Sequence, residues 1–152
     1  MIKSFPHFGI YVADIALSTR FYIEGLGFEA QENGRTDVPG PLLEMPGAMV
    51  RTQFIRHEQG MRMELWTVED RPPAGGADPR PANLPGRPHL CFVVDDLEQV
   101  AARVVEFGGS RLDGTLSDLG YGKLIFCADP DGTRIELVQI TSGWTGYDQQ
   151  QG

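Results

Sequence analysis

The chain writes one phrase twice. His7-Phe-Gly-Ile-Tyr-Val-Ala-Asp-Ile15 returns as His89-Leu-Cys-Phe-Val-Val-Asp-Asp-Leu97. Adding 82 to a residue number carries His7 onto His89, Val12 onto Val94, Asp14 onto Asp96, Glu24 onto Glu106 and Gly27 onto Gly109. A second register, offset by 72, carries Phe54 onto Phe126, Gly60 onto Gly132, Arg62 onto Arg134, Glu64 onto Glu136 and Leu65 onto Leu137. Self-similarity at a fixed offset marks a supersecondary unit used more than once. Each copy opens on a histidine and closes on a glutamate.

Local patterning gives the order of elements within a copy. Residues 5 to 13 alternate and are rich in β-branched and aromatic side chains, which predicts a strand. Asp14 stands as N-cap before a helix with Leu17, Phe21 and Ile23 to Leu26 at helical spacing, stopped by Gly25 and Gly27. A short strand over 28–31 follows, then a loop over 32–47 with two Gly-Pro or Pro-Gly junctions. Strands over 49–56 and 61–68 form a hairpin about His57-Glu-Gln-Gly60. The second copy repeats this order: strand 89–94, Asp96 as cap with Gln99 three residues on, and a helix with Leu97, Val100, Ala101, Val104 and Val105 on one face. Gly108-Gly109 end it; a short strand and a loop over 113–121 lead to strands 123–128 and 133–140 about Asp129-Pro-Asp-Gly132. The expected domains are therefore a βαβββ module over 1–70, a Pro/Gly-rich linker over 71–88, a second βαβββ module over 89–141 and a polar tail over 142–152. The fold class is α+β.

Composition narrows the partners. With 21 acidic against 13 basic residues the net charge is −8, and no Lys/Arg run interrupts it, so nucleic acid and anionic membranes are not expected partners. No apolar run approaches the roughly 20 residues of a membrane span. Cys91 and Cys127 form no C-x-x-C pair, which fits a reducing compartment, and a cytoplasmic location is expected.

One helix per module can cover only one face of its sheet. Period-two alternation puts Phe8, Ile10 and Val12 towards the helix and His7, Gly9 and Tyr11 away from it. In the same way Arg62, Glu64 and Trp66 share the open face, as do His89, Cys91 and Val93 with Arg134, Glu136 and Val138. His7, Glu64, His89 and Glu136 are a mixed nitrogen and oxygen set suited to one divalent metal ion such as zinc, nickel, cobalt, manganese or ferrous iron. Arg62 and Arg134 are candidates to hold a substrate carboxylate or phosphate, or to pair with acidic neighbours. Tyr11, Trp66 and Cys91 are lining candidates, with Glu44 and Tyr121 on loops. Cys91 also reads as a small apolar filler, and His57 as a solvated loop residue.

The paired modules, the opening His7 and His89, and the phrases Met-Arg-Met-Glu64-Leu and Asp129-Pro-Asp-Gly-Thr-Arg-Ile-Glu136-Leu resemble the vicinal oxygen chelate superfamily. That group includes glyoxalase I, methylmalonyl-CoA epimerase, extradiol dioxygenases and the fosfomycin and bleomycin resistance proteins. The resemblance spans residues 5 to 140. It implies tandem modules forming a cupped mixed sheet, and a divalent metal held by His7, Glu64, His89 and Glu136. A small substrate would chelate that metal through two adjacent oxygens. A His/Glu/His/Glu set is similar to glyoxalase I, which implies a lyase or isomerase moving a proton next to a carbonyl, with Glu64 or Glu136 as the base. The alternatives are an extradiol-type ring-cleaving dioxygenase and a metal-free drug-binding resistance protein. Where glyoxalase I carries Glu-Leu-Thr-x-Asn-Trp, this chain reads Glu64-Leu-Trp-Thr-Val68-Glu, so glutathione is not carried over. The resemblance also implies a homodimer.

Overall fold

The computed structural model describes residues 1–31, 44–71 and 86–142, with the backbone alone at 38–39. The chain divides into two units, Met1–Asp78 and Pro79–Gly152. Most of the expected linker, and the tail beyond Ser142 with Trp144 and Tyr147, lie outside the described residues.

The first unit runs β1 (Phe8–Tyr11), α1 (Ile15–Arg20), β2 (Glu29–Ala30), β3 (Val38–Pro39), β4 (Met49–Arg56) and β5 (Arg62–Val68). Its sheet order is β1-β5-β4-β2, with β3 also on β4. The second runs β6 (His89–Val93), α2 (Leu97–Glu106), β7 (Ser110–Arg111), β8 (Ser117–Asp118), β9 (Gly122–Ala128) and β10 (Arg134–Ile140), in the order β6-β10-β9-β7 with β8 on β9. In each unit the opening strand lies parallel to the closing one, β1 on β5 and β6 on β10, while the other pairs are antiparallel. Both sheets are mixed and the fold is α+β, as expected.

The helices start where the aspartates predict. Asp14 Oδ1 accepts from the backbone N–H groups of Ala16 and Leu17 at 2.9 and 3.0 Å, and Asp96 Oδ1 from that of Gln99 at 3.0 Å. Such caps satisfy donors that the first turn leaves open. Behind them the helix-facing sides of the sheets are shut off from water: Ile10, Val12, Ile55, Met63 and Leu65 in one unit, Leu90, Ile125, Cys127, Ile135 and Leu137 in the other. Each such side chain contributes about 1.5–3 kcal/mol through burial.

Three details differ from the sequence reading. The loop expected over 32–47 contains β3, and the loop over 113–121 contains a 3-10 turn at Asp113–Thr115 and β8. These two-residue strands depend on hydrogen bonds to a long neighbour rather than on any pattern of their own. The first helix does not bury Leu17, which is 40% exposed; its inward stripe is Ser18, Phe21, Tyr22 and Gly25. Beyond Arg20 the helix also continues as a π-helical segment over Phe21–Gly25. In α2 the inward residues are Leu97, Ala101 and Val104, while Val105 is half exposed.

The hairpin turns preserve the repeat at atomic detail. Gly60 and Gly132 take φ of 92° and 84°, a conformation open to glycine at little cost. Each donates its N–H to a carbonyl three residues back, His57 and Asp129, at 3.0 Å. His57 Nδ1 accepts from the N–H of Gln59 at 3.3 Å, as Asp129 Oδ1 accepts from that of Asp131 at 3.0 Å. The ring of His57 also meets Phe28 edge-on, centroids 5.2 Å apart, so it braces the turn against the core.

Candidate metal centre

The parallel pairing of first and last strands decides which side chains meet. Gly9 lies opposite Glu64 and Tyr11 opposite Trp66; Arg134 lies opposite His89 and Glu136 opposite Cys91. Facing residues of a strand pair project to the same side of a sheet. His7 Nε2 therefore stands 3.3 Å from Glu64 Oε2, and His89 Nε2 stands 2.9 Å from Glu136 Oε2. The glutamate side chains are 23% and 15% exposed and the imidazoles 36% and 50%, so each pair borders open space rather than core.

The same two neighbours attend each pair. Phe54 meets His7 edge-on with centroids 5.3 Å apart, and Phe126 meets His89 in the same way at 5.6 Å. The Arg62 guanidinium lies over Phe54 at 5.0 Å and that of Arg134 over Phe126 at 5.8 Å. Among the described residues neither arginine forms an ion pair, so stacking on phenylalanine, rather than an acidic neighbour, positions them. Arg62 Nε is moreover buried without a hydrogen-bond partner. Phe126 was absent from the residues singled out for the site. The offset that carries Phe54 onto Phe126 was its available signal.

The donor chemistry fits a divalent cation. Two ligands about 2.1 Å from a common ion, at tetrahedral or octahedral angles, lie roughly 3 Å apart. Both observed nitrogen–oxygen separations match that spacing. Each unit supplies one nitrogen and one oxygen, and among the described residues no group of three or more His, Cys, Asp or Glu side chains is gathered for a metal. An ion therefore requires donors beyond either pair.

The remaining candidates fall in different places. Tyr11 and Trp66 pack edge-to-face on the histidine side of the first unit, centroids 4.9 Å apart, and lean on the buried Ala48, Val50 and Val68. Cys91 is exposed on the histidine side of β6; Cys127 is buried behind the second sheet, where burial raises its thiol pKa. Glu44 is exposed at a positive φ of 57°, and the Tyr121 carbonyl accepts from the N–H groups of Thr141 and Ser142 at 2.9 and 3.2 Å. The groove beside the first helix, lined by Ile15, Thr19, Ile23, Arg51 and Gln53 among others, includes neither His7 nor Glu64. No described helix is long and apolar enough to cross a membrane.

Known proteins resemble the chain along most of its length. The virulence protein STM3117 of Salmonella typhimurium is 28% identical over 146 residues, covering 91% of this chain and 85% of that protein. A glyoxalase family protein from Bacillus cereus superposes with a TM-score of 0.77 at 18% identity, covering 93% of this chain and 97% of that one. The trypanothione-dependent glyoxalase I of Leishmania major gives 0.63 at 19% identity, over 91% and 87% of the two chains. At such identities these two structural likenesses are of fold. The family profile described as Glyoxalase/Bleomycin resistance protein/Dioxygenase superfamily matches residues 4–137. With its duplicated unit of one helix on a mixed sheet and a histidine–glutamate pair in each copy, the chain belongs to that superfamily.

Proposed function

We propose that this protein is a divalent-metal-dependent lyase or isomerase of the glyoxalase type. It acts on a small substrate that presents two adjacent oxygens, and His7, Glu64, His89 and Glu136 hold the ion. The observation that carries this reading is the twofold occurrence of one arrangement: imidazole and carboxylate 3.3 and 2.9 Å apart, with a phenylalanine edge against each imidazole. A bound divalent ion supplies Lewis acidity to a substrate carbonyl. The chain's own part is to orient the substrate and to move a proton. Glu64 or Glu136 takes a proton from the carbon beside the carbonyl and returns it at the neighbouring atom. Arg62 and Arg134, unpaired with acids among the described residues, offer their guanidinium groups to a carboxylate or phosphate of the substrate.

A metal-free binding protein of the bleomycin-resistance kind is the second reading, and the Tyr11–Trp66 pair favours it by offering two aromatic rings set at 74° to each other on the open face. Metal analysis separates the two. Wild-type protein purified from metal-supplemented medium is expected to carry a stoichiometric divalent ion, and Glu136→Gln to lower its affinity by about tenfold or more. Wild-type protein without such an ion would overturn the enzymatic reading.

Cys91 and Cys127 form no disulfide, which suits a reducing, cytoplasmic setting. We propose a homodimer as the working form; a light-scattering mass of a single chain would rule it out.

A further inference from the structure

The two units match at the His–Glu–Phe–Arg set and part company one step along the same strands. The offsets that equate the copies carry Gly9 onto Cys91, Tyr11 onto Val93 and Trp66 onto Val138. The first unit thus has two aromatic rings and a glycine where the second has two valines and a cysteine. The rings are fixed in place: they meet each other at an interplanar angle of 74° and rest on Ala48, Val50 and Val68.

Gly9 makes this difference consequential. A Cβ built on it would stand 3.8 Å from Trp66 Nε1 and 4.0 Å from Glu64 Oε2. An indole donor and a carboxylate oxygen therefore border one small space, kept open because residue 9 has no side chain. Trp66 is only partly buried, and no hydrogen bond from its indole N–H is found among the described residues, so this donor is available to a ligand on the open face. Val138 offers neither donor nor ring at the place of Trp66, and Cys91 puts a side chain where Gly9 has none.

We infer that the Gly9–Tyr11–Trp66 wall selects the substrate: it takes a planar, aryl-bearing compound, and the indole N–H of Trp66 donates to a substrate oxygen held beside Glu64. This rests on the proposal that Glu64 works at the substrate. Aromatic surface beside Gly9 favours stacking of a flat ring, and a ligand oxygen next to it would meet the indole donor. Trp66 is on this account a specificity residue.

Phenylpyruvate and pyruvate present the same carboxylate and carbonyl oxygens and differ by one phenyl group. Calorimetric titration of the metal-supplemented protein with each is expected to show phenylpyruvate binding about tenfold more tightly. Trp66→Val, which installs the residue of the second unit, should bring the two affinities within about twofold. Trp66→Phe keeps a ring and removes the donor, so it should weaken both compounds by about fivefold and preserve the preference. Gly9→Val fills the gap and should weaken phenylpyruvate more than pyruvate. Near-unchanged circular dichroism of the Trp66→Phe protein guards against misfolding. Equal binding of the two compounds by the wild type, binding of neither, or a preference untouched by Trp66→Val would overturn the inference. Metal content is measured on the same samples: aryl preference without bound metal keeps this inference and removes the metal-dependent reading, while bound metal without aryl preference does the reverse.

Discussion

In the first unit the histidine strand continues into Gly9 and Tyr11, and the strand beside it into Trp66. In the second unit the same positions hold Cys91, Val93 and Val138. The helices differ as well, since α1 passes into a π-helical segment and α2 stays regular over Leu97–Glu106. Yet the histidine, the glutamate, the phenylalanine on the imidazole edge and the arginine over that phenylalanine recur with separations that agree within about an ångström. Helix winding and the side chains further along the open face differ between the units, around a set that is the same in both. The shared frame tolerates either set of open-face side chains, so these are where the units can take different tasks.

The largest expected effects test whether the frames are energetically equivalent. Leu65 and Leu137 are fully buried at matching positions, and truncating either to alanine should cost about 3 kcal/mol by removing transfer energy and leaving a cavity. Chemical denaturation of both variants checks this, and costs differing by more than about 2 kcal/mol would break the equivalence. The turns come next. Asp129 is buried and accepts from the N–H groups of Asp131 and Thr133 at 3.0 and 2.7 Å, so Asp129→Ala should cost about 2 kcal/mol. His57→Ala, which loses one 3.3 Å bond and a ring contact with Phe28, should cost about 1 kcal/mol. Thermal melts in which the histidine proved the costlier loss would contradict this order.

The smallest effect concerns a surface pair. Arg111 binds both oxygens of Glu98, and its guanidinium holds the Glu98 carboxyl below the usual carboxylate value. A lowered folded-state pKa stabilises at pH above the ordinary value near 4.5, and the contribution disappears as pH falls through the folded-state value. Glu98→Gln should therefore lower the melting temperature slightly at pH 7 and leave it unchanged at strongly acidic pH. A difference that grew on acidification would reverse the sign of this account.

The features legible in the sequence were those with a short-range cause. Asp14 and Asp96 announced the helix starts because a cap is local, and period-two alternation placed His7 with Gly9 and Tyr11 on the face opposite Phe8 and Ile10. The repeat supplied the long-range step, giving each copy an opening histidine and a closing glutamate on the same face. What stayed hidden depends on tertiary partners. β3 and β8 exist through their pairing with β4 and β9, and the burial of Ser18 in place of Leu17 follows from how the helix docks on its sheet. Nothing in the local sequence marks the π-helical segment. The seating of Arg62 on Phe54 was equally invisible, since charge alone pointed the arginine towards an acid.

Gly9 carries one more consequence. Its backbone angle is not in the left-handed region, and an added methyl would make contacts of 3.8 and 4.0 Å, ordinary van der Waals distances. Glycine inside a strand gives up side-chain packing and backbone order that alanine would supply. The fold would therefore gain by closing this gap, and stability alone does not account for its being left open. Position 9 is one at which drift can trade thermodynamic benefit against ligand choice through a single carbon atom, while the rest of the strand stays as it is.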